Sequence, residues 1–410
     1  MNRLFAASFT TVIKRTSIVI CNTQKSFVRK LTTTSISSNI DSAKELFRPL
    51  PPYLYNDATV YQLERENIFS KNWLYVGRLD RLQKLGDYLS IIIAGYPIFI
   101  YRSPLTNELI AFHNVCTHRA GPIVPININN NGVALYGNQS LLKCHYHSWL
   151  YDSRDGTLKA TPNFNYKFKP EEKKCLNLKK IDIEIFADQF IFVNLIDKKE
   201  KNISMNTIFG DLLNDMMKFP LNEYHHFESQ HHLLNCNWKT YVENYQEGYH
   251  ISTIHQGLNK AVQSKQYLVT NKNNSYSIHY VPSRNNQSDQ ENYLWTYIYP
   301  NLAINLYEKG YSIEHILPID KNHTILSYDF FLRSTTDESQ MTNRIIEAKE
   351  SMNRTLEITY EDKMICEQVQ VNLDAGIYKP GYLSPSMENG VQLFQNRIRN
   401  ELKHTNLQLE

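Results

Sequence analysis

The chain has 410 residues, of which 42% are hydrophobic and 21% charged, with a formal net charge of +3. That length suits two or three domains with ample core, so neither disulfides nor metals are needed merely to fold it. Six cysteines in so long a chain make no disulfide scaffold, and near-neutral charge excludes a polybasic nucleic-acid binder. The longest apolar stretch, Tyr88 to Tyr101, is broken by Ser90, Gly95 and Pro97. It falls short of the roughly 18 residues of a membrane span, so no span is expected.

Residues 1–40 are dense in Ser and Thr, carry Arg3, Lys14, Arg15, Lys25, Arg29 and Lys30, and contain no acidic residue before Asp41. This composition predicts a transit peptide, mitochondrial (matrix) as first choice and plastid as second. From Trp73 onward the pattern is strand-like. Asp87 to Arg102 reads as two strands about Ala94-Gly95-Tyr96, Leu109 to Val115 as a third, Trp149 to Lys159 as a hairpin turned at Asp155-Gly156, and Ile183 to Leu195 as another pair. The polar stretch Pro125–Gly132 reads as an exposed loop. Thr207 to Phe219 looks helical, with Trp238 to His250 a second helical candidate. Strands over Tyr293–Leu332 and a long helix over about Gln340–Leu373 then indicate an α+β domain with an antiparallel sheet. The expected domains are 41–69, an N-terminal segment packing on the catalytic domain; 70–180, a small all-β module; and 181–410, the α+β domain.

Two constellations carry chemistry. In the first, Cys116-Thr117-His118 is followed by Cys144-His145-Tyr146-His147. Zinc accepts Cys₂His₂, but zinc fingers pair like ligands. One Cys and one His in each loop fits instead a [2Fe–2S] cluster with two thiolates on one iron and two imidazoles on the other. In the second, His250 and His255 lie five residues apart, about 140° round an ideal helix, so they converge only where a helix ends. Gly248 and the β-branched Ile251, Thr253 and Ile254 make an end here plausible. Two histidines and one carboxylate leave open positions for dioxygen on non-haem iron. Glu361 and Asp362 both sit on the long helix. Asp362 shares a face with Ile358, Ile365, Cys366 and Val369, and residue patterning alone leaves the two carboxylates as alternatives. His225, His226, His231 and His232 are expected to be solvated in a polar connection.

Cys116-Thr-His118-Arg119-Ala-Gly and Cys144-His-Tyr-His147-Ser-Trp149 resemble the cluster loops of the Rieske non-haem iron oxygenases, ring-hydroxylating alpha-subunit type. Glu243-Asn244…Glu247-Gly-Tyr249-His250…His255 resembles their iron site, and Tyr360-Glu-Asp362-Lys-Met-Ile-Cys-Glu367 their last ligand helix. Two departures are a long loop between the cluster motifs and Ser148, where Gly is common. The resemblance implies a Rieske [2Fe–2S] domain plus a helix-grip antiparallel-sheet catalytic domain. It also implies cluster ligands Cys116, His118, Cys144 and His147; mononuclear Fe(II) on His250, His255 and Asp362; and Asn244 and Glu247 as catalytic residues. Glu247 is expected to bridge His250 to His147 of a neighbouring subunit. The implied partners are reduced ferredoxin or a ferredoxin-like reductase, dioxygen, a small-molecule substrate and a homotrimeric assembly. Tyr299-Pro300-Asn301-Leu302-Ala303-Ile304-Asn305 and Gly381–Gly390 are closest to the branch acting on choline and related quaternary ammonium compounds. The expected reaction is therefore hydroxylation of choline to betaine aldehyde hydrate, with carnitine, glycine betaine or an aromatic ring as alternative substrates. A Rieske electron carrier or redox sensor is the non-enzymatic alternative. Tyr293, Trp295, Tyr297 and Tyr299 alternate along one strand face, either as a wall of an aromatic cage or as a core face.

Overall fold

The computed structural model describes residues 46–196, 203–282, 293–307 and 309–409; the expected transit peptide lies outside them. Among the described residues, ten strands occupy the first half. Six of them, with β5, make one seven-stranded antiparallel sheet in the order β1-β10-β9-β4-β3-β2-β5, where β1 is Leu74–Arg78, β2 Asp87–Ile93, β3 Tyr96–Arg102, β4 Leu109–His113, β5 Leu135–Asn138, β9 Lys180–Phe186 and β10 Phe190–Asn194. A small three-stranded sheet, β6 Leu142–Lys143, β7 Leu150–Tyr151 and β8 Leu158–Ala160, carries the second cluster motif. The β2–β3 hairpin turns at Ala94 and Gly95, both at positive φ (46° and 76°), the two-residue turn whose twist matches its strands. The sheet continues to Asn194, so its last two strands run past the cluster motifs.

The second half is built on another seven-stranded antiparallel sheet, β11-β17-β16-β15-β14-β13-β12. Its strands are β11 Tyr224–Leu234, β12 Leu268–Lys272, β13 Tyr276–Tyr280, β14 Tyr293–Ile298, β15 Leu302–Tyr307, β16 Gly310–Pro318 and β17 Thr324–Arg333. One face, with Ile298, Leu302, Ile304, Leu306, Ile313 and Phe331, packs against Tyr75, Phe186, Phe190 and Phe192 of the first sheet. The other face, with Tyr297, Ile316, Tyr328 and Phe330, packs against the helices that carry the second constellation. Among the described residues no helix is long and apolar enough to cross a membrane.

Three expectations change here. The four histidines lie on β11, an edge strand paired along its length with β17, and not in an irregular connection. His225 and His231 are exposed, while His226 and His232 are half-buried. An edge strand with few apolar residues lacks the alternation that marks strands in sequence, and its pairing comes from the main chain. The long helix, Glu338–Asp374, buries Thr359, Asp362, Cys366, Gln370 and Leu373 as one stripe, and Val369 turns outward at 39% exposure. A last helix, Asn389–Leu402, was not anticipated; Val391, Phe394, Ile398 and Leu402 supply its buried stripe.

The helix Trp238–Tyr245 is tied into this frame by polar groups. Asn237 caps it, accepting from the Lys239 amide (3.0 Å) while its own amide donates to the carbonyls of Tyr55 (3.1 Å) and Lys321 (2.7 Å). Glu64, in the helix Ala58–Glu64, accepts from Lys239 Nζ at 2.5 Å and from the Trp238 indole at 2.8 Å, all inside the protein. Trp238 itself sits between Phe69 and Phe394, with ring centres 5.0 and 5.6 Å away.

Candidate active site

The helix ends at Gln246, and the chain turns through Glu247-Gly248 into a short 3₁₀ turn, His250–Ser252. Gly248 is required there: a Cβ would run into the Tyr267 ring. The turn is also held from the sheet side. Tyr267 Oη lies 2.8 Å from His279 Nδ1, His279 Nε2 lies 2.9 Å from Ser277 Oγ, and Ser277 Oγ donates to Gln246 Oε1 at 3.1 Å. Burial pushes the His279 pKa down to about 3, so its ring stays neutral and can link the two hydroxyls.

This turn brings His250 and His255 together against the long helix. Their Nε2 atoms are 3.1 Å apart, and Asp362 Oδ1 lies 2.9 Å from His255 Nε2 and 3.6 Å from His250 Nε2. Ligand atoms bound about 2.1 Å from one first-row metal at right angles sit about 3 Å apart, so the set has the dimensions of a facial triad. Among the described residues these three form the one group of this kind. Each ligand is oriented by a further group. Glu247 Oε1 lies 2.5 Å from His250 Nδ1, Glu361 Oε2 lies 2.7 Å from His255 Nδ1, and Asn244 Nδ2 donates to Asp362 Oδ1 at 2.7 Å. Carboxylates on the remote ring nitrogen fix the tautomer that leaves Nε2 free for a metal. The two acidic neighbours of the long helix are thus separated by geometry: Asp362 faces the histidines' Nε2 atoms and Glu361 backs one imidazole. The expected Glu247–His250 contact is present, but through a turn in place of a helix, since Glu247 Oε2 also accepts the amides of Tyr249 and His250.

The first constellation lies on two matched loops. Cys116 N bonds Gly121 O and Cys144 N bonds Trp149 O, each at 2.9 Å, closing loops whose inner turns run from Ala120 N to Cys116 O and from Ser148 N to Cys144 O. Ala120 and Ser148 sit at φ 54° and 61°, which explains why Gly suits the second position. A Cβ on Gly121 would stand 2.9 Å from Cys144 Sγ. Both thiols are free and buried. The His118 and His147 rings are 4.6 Å apart, and His118 stacks on Trp149. His118 Nδ1 is buried and has no hydrogen-bond partner, a state that suits a ligand atom and costs energy otherwise. Two clustered thiols and two clustered imidazoles fit the donor set of a [2Fe–2S] cluster. Tyr151 Oη lies 3.0 Å from Cys116 Sγ. Donation to a sulfur ligand stabilises the reduced, more negative cluster. Tyr151→Phe should therefore lower its potential by about 20–60 mV in a redox titration, the worth of one net hydrogen bond.

The aromatic stripe divides. Trp295 packs with Ile251, Val262 and Val281 near the iron-site turn. Tyr297 and Tyr299 instead pack on Phe394, and Tyr299 Oη donates to Glu401 at 3.0 Å. Those two belong to the core seam under the last helix.

Both constellations lie within stretches that match known families. The family described as "Rieske [2Fe-2S] domain" matches residues 72–175, and "Ring hydroxylating alpha subunit (catalytic domain)" matches residues 221–404. A choline monooxygenase, chloroplastic, of Beta vulgaris is 26% identical over 385 residues, 88% of this chain and 81% of the relative. A carnitine monooxygenase oxygenase subunit of Acinetobacter baumannii is 26% identical over 370 residues, 85% of this chain and 93% of the relative. A solved quaternary ammonium Rieske monooxygenase superposes with a TM-score of 0.71 at 22% identity, covering 87% of this chain and 96% of its own. Naphthalene 1,2-dioxygenase with phenanthrene bound gives 0.69 at 17% identity, covering 88% and 93%. The fold is therefore that of the Rieske oxygenases, a cluster domain joined to an antiparallel-sheet iron domain, and the cofactors are a [2Fe–2S] cluster and one mononuclear iron. The mitochondrial assignment is corrected: the plant relatives of Beta vulgaris, Amaranthus tricolor and Arabidopsis thaliana are chloroplastic. Basic, acid-free leaders look alike in composition for the two organelles, so that signal could not separate them.

Proposed function

We propose that this chain, which belongs to the Rieske-type oxygenases, is a monooxygenase of quaternary ammonium compounds that hydroxylates choline to betaine aldehyde hydrate. The observation that carries the reading is the His250–His255–Asp362 set with its three orienting partners, in a chain similar over more than four-fifths of its length to choline and carnitine monooxygenases. In this reading Cys116, His118, Cys144 and His147 hold the cluster, within residues 70–180, and His250, His255 and Asp362 hold iron, within residues 181–410. When bound, the iron supplies dioxygen activation and the cluster supplies electrons singly. Glu247 and Glu361 keep both imidazoles in the metal-binding tautomer, and Asn244 keeps Asp362 turned toward them. The reaction balances as choline, dioxygen, two electrons and two protons giving the aldehyde hydrate and water, with electrons from a reduced ferredoxin or ferredoxin-like reductase. Carnitine is the second reading, favoured by its relative's near-complete coverage. The test compares choline, carnitine, glycine betaine, ethanolamine and benzoate with a surrogate ferredoxin–reductase pair. Choline should be turned over and ethanolamine poorly, because a primary ammonium is better hydrated and fills an aromatic site badly. Comparable rates for these two would sink the choline reading.

The same reading includes a homotrimer in which electrons cross between subunits. Among the described residues no hydrogen bond joins the cluster loops to the turn 246–255. Exposed apolar side chains flank both sites, Tyr146, Phe164 and Tyr166 at the cluster and Tyr360 and Met364 beside Asp362. Such surfaces suit burial against another copy in a closed ring. Glu247, half-buried at the His250 side, then bridges to His147 of the neighbouring subunit. Glu247→Gln should keep both metals and a reducible cluster yet lose most product. Mixing Cys116→Ser chains with His255→Ala chains should restore activity in co-assembled trimers; inactive mixed trimers would exclude the route.

A further inference from the structure

The sheet face beneath the iron site sets buried polar side chains among the apolar Tyr297, Ile316 and Phe330. Alternation along β15 and β16 points Asn305, Ser312 and Glu314 at the helices that carry Asn244 and Asp362. Glu314 is 3% exposed. Its carboxyl accepts from Tyr241 Oη at 2.6 Å, and Tyr328, directly across on β17, is its second hydroxyl neighbour. Tyr328 Oη in turn accepts from Thr359 at 3.0 Å, and Thr359 lies one turn before Asp362 on the same buried stripe. Tyr245, whose hydroxyl donates to Asn305 at 3.2 Å, completes the group.

We propose that Glu314 is the anionic counter-group of the substrate site, selecting a small cation that carries no carboxylate of its own. The inference rests on the reading of this chain as a quaternary ammonium monooxygenase and names, within it, what chooses between choline and carnitine. Among the described residues, the titratable groups facing Glu314 are Tyr241 and Tyr328, with Tyr245 and Asp362 farther off, and none of these is a cation. Burial pushes the Glu314 carboxyl up to about 7, with neighbouring Asp362 adding to the rise and the two hydroxyls opposing it. A buried carboxylate without a cation is costly, and a bound trimethylammonium beside it supplies the missing charge. Tyr241, Tyr328 and Tyr245 make the surroundings of the carboxylate aromatic, and aromatic side chains are what such a group prefers. A carboxylated substrate such as carnitine places a second anion in the same site, where like charges repel.

The experiment uses the iron-loaded holoenzyme and two probes of one shape: choline, and its uncharged isostere 3,3-dimethyl-1-butanol. Binding is measured by calorimetry, and turnover by product analysis. Wild type should bind choline at least about tenfold tighter than the isostere, and Glu314→Gln should erase that preference, mostly through KM, while relaxing the bias against carnitine. Glu314→Asp keeps the charge and should keep the preference, which separates a charge effect from a folding defect. If Glu314→Gln retains both metals and the wild-type preference, or if wild type binds both probes equally, the inference is overturned while the choline reading stands. If no quaternary ammonium compound binds wild type, the reading and the inference fall together.

Discussion

Asp362→Ala should leave a protein that folds and shows the cluster spectrum but holds about two irons per chain in place of about three, and forms no product above background. The expectation follows from where Asp362 sits. It lies on the buried stripe of the long helix, 2.9 Å from His255 Nε2, and a hydrogen bond donated by Asn244 Nδ2 holds the Asp362 Oδ1 in place. Alanine removes the one anionic ligand of the facial set, so two neutral imidazoles must hold a dication alone. Glu361 cannot take over, because its carboxylate is engaged by His255 Nδ1 on the far side of the ring. Glu361→Gln should be milder, weakening iron by about 10–100-fold and leaving activity recoverable with excess Fe(II). Iron analysis with cluster absorbance checks both variants. Full iron content in Asp362→Ala would show that another group completes the site.

Lys239→Ala should cost about 3–5 kcal/mol in denaturant unfolding, a large share of any domain's stability. Both side chains of the Lys239–Glu64 pair are 0% exposed, 2.5 Å apart. Desolvation lowers the Lys239 pKa, and the Glu64 carboxylate counters it. Removing the ammonium strands Glu64 with only the Trp238 indole as donor. The double replacement Glu64→Leu/Lys239→Met should lose less than the two single changes together, since the stranded charge goes and what remains is an unpaired indole N–H. This pair sits at the start of the helix that delivers Asn244 and then Glu247, so the single variant should also loosen iron. A change within about 0.5 kcal/mol would mean that the pair contributes little.

The chemistry was more legible in the sequence than the architecture around it. Cys-x-His and Cys-x-x-His loops and a spaced histidine pair are local signals, because metal ligands must be short-range neighbours on turns. The Asp362-or-Glu361 question was not local: one residue apart on a helix is about 100° of rotation, and only packing against the turn 246–255 decides which carboxylate faces inward. Glu314 was hidden for a related reason. Its strand, Tyr311-Ser-Ile-Glu314-His-Ile-Leu317, alternates correctly, but sequence does not say what the polar face meets. The pairing of Lys239 with Glu64 spans 175 positions and leaves no local trace. The strand β11 escaped because an edge needs no apolar alternation, and the last helix because its stripe is thin and flanked by polar residues.

The central claim, oxygen insertion into a quaternary ammonium substrate at the His250–His255–Asp362 iron, is tested most directly by a single turnover. Chemically pre-reduced, iron-loaded protein is mixed with choline and ¹⁸O₂, and the product is reduced with borohydride or oxidised at once to fix the label for mass spectrometry. The account predicts choline-dependent oxidation of the cluster and product carrying ¹⁸O from dioxygen, both absent in His255→Ala. Cluster oxidation that is indifferent to choline, carnitine and glycine betaine, with no labelled product from any of them, would contradict it.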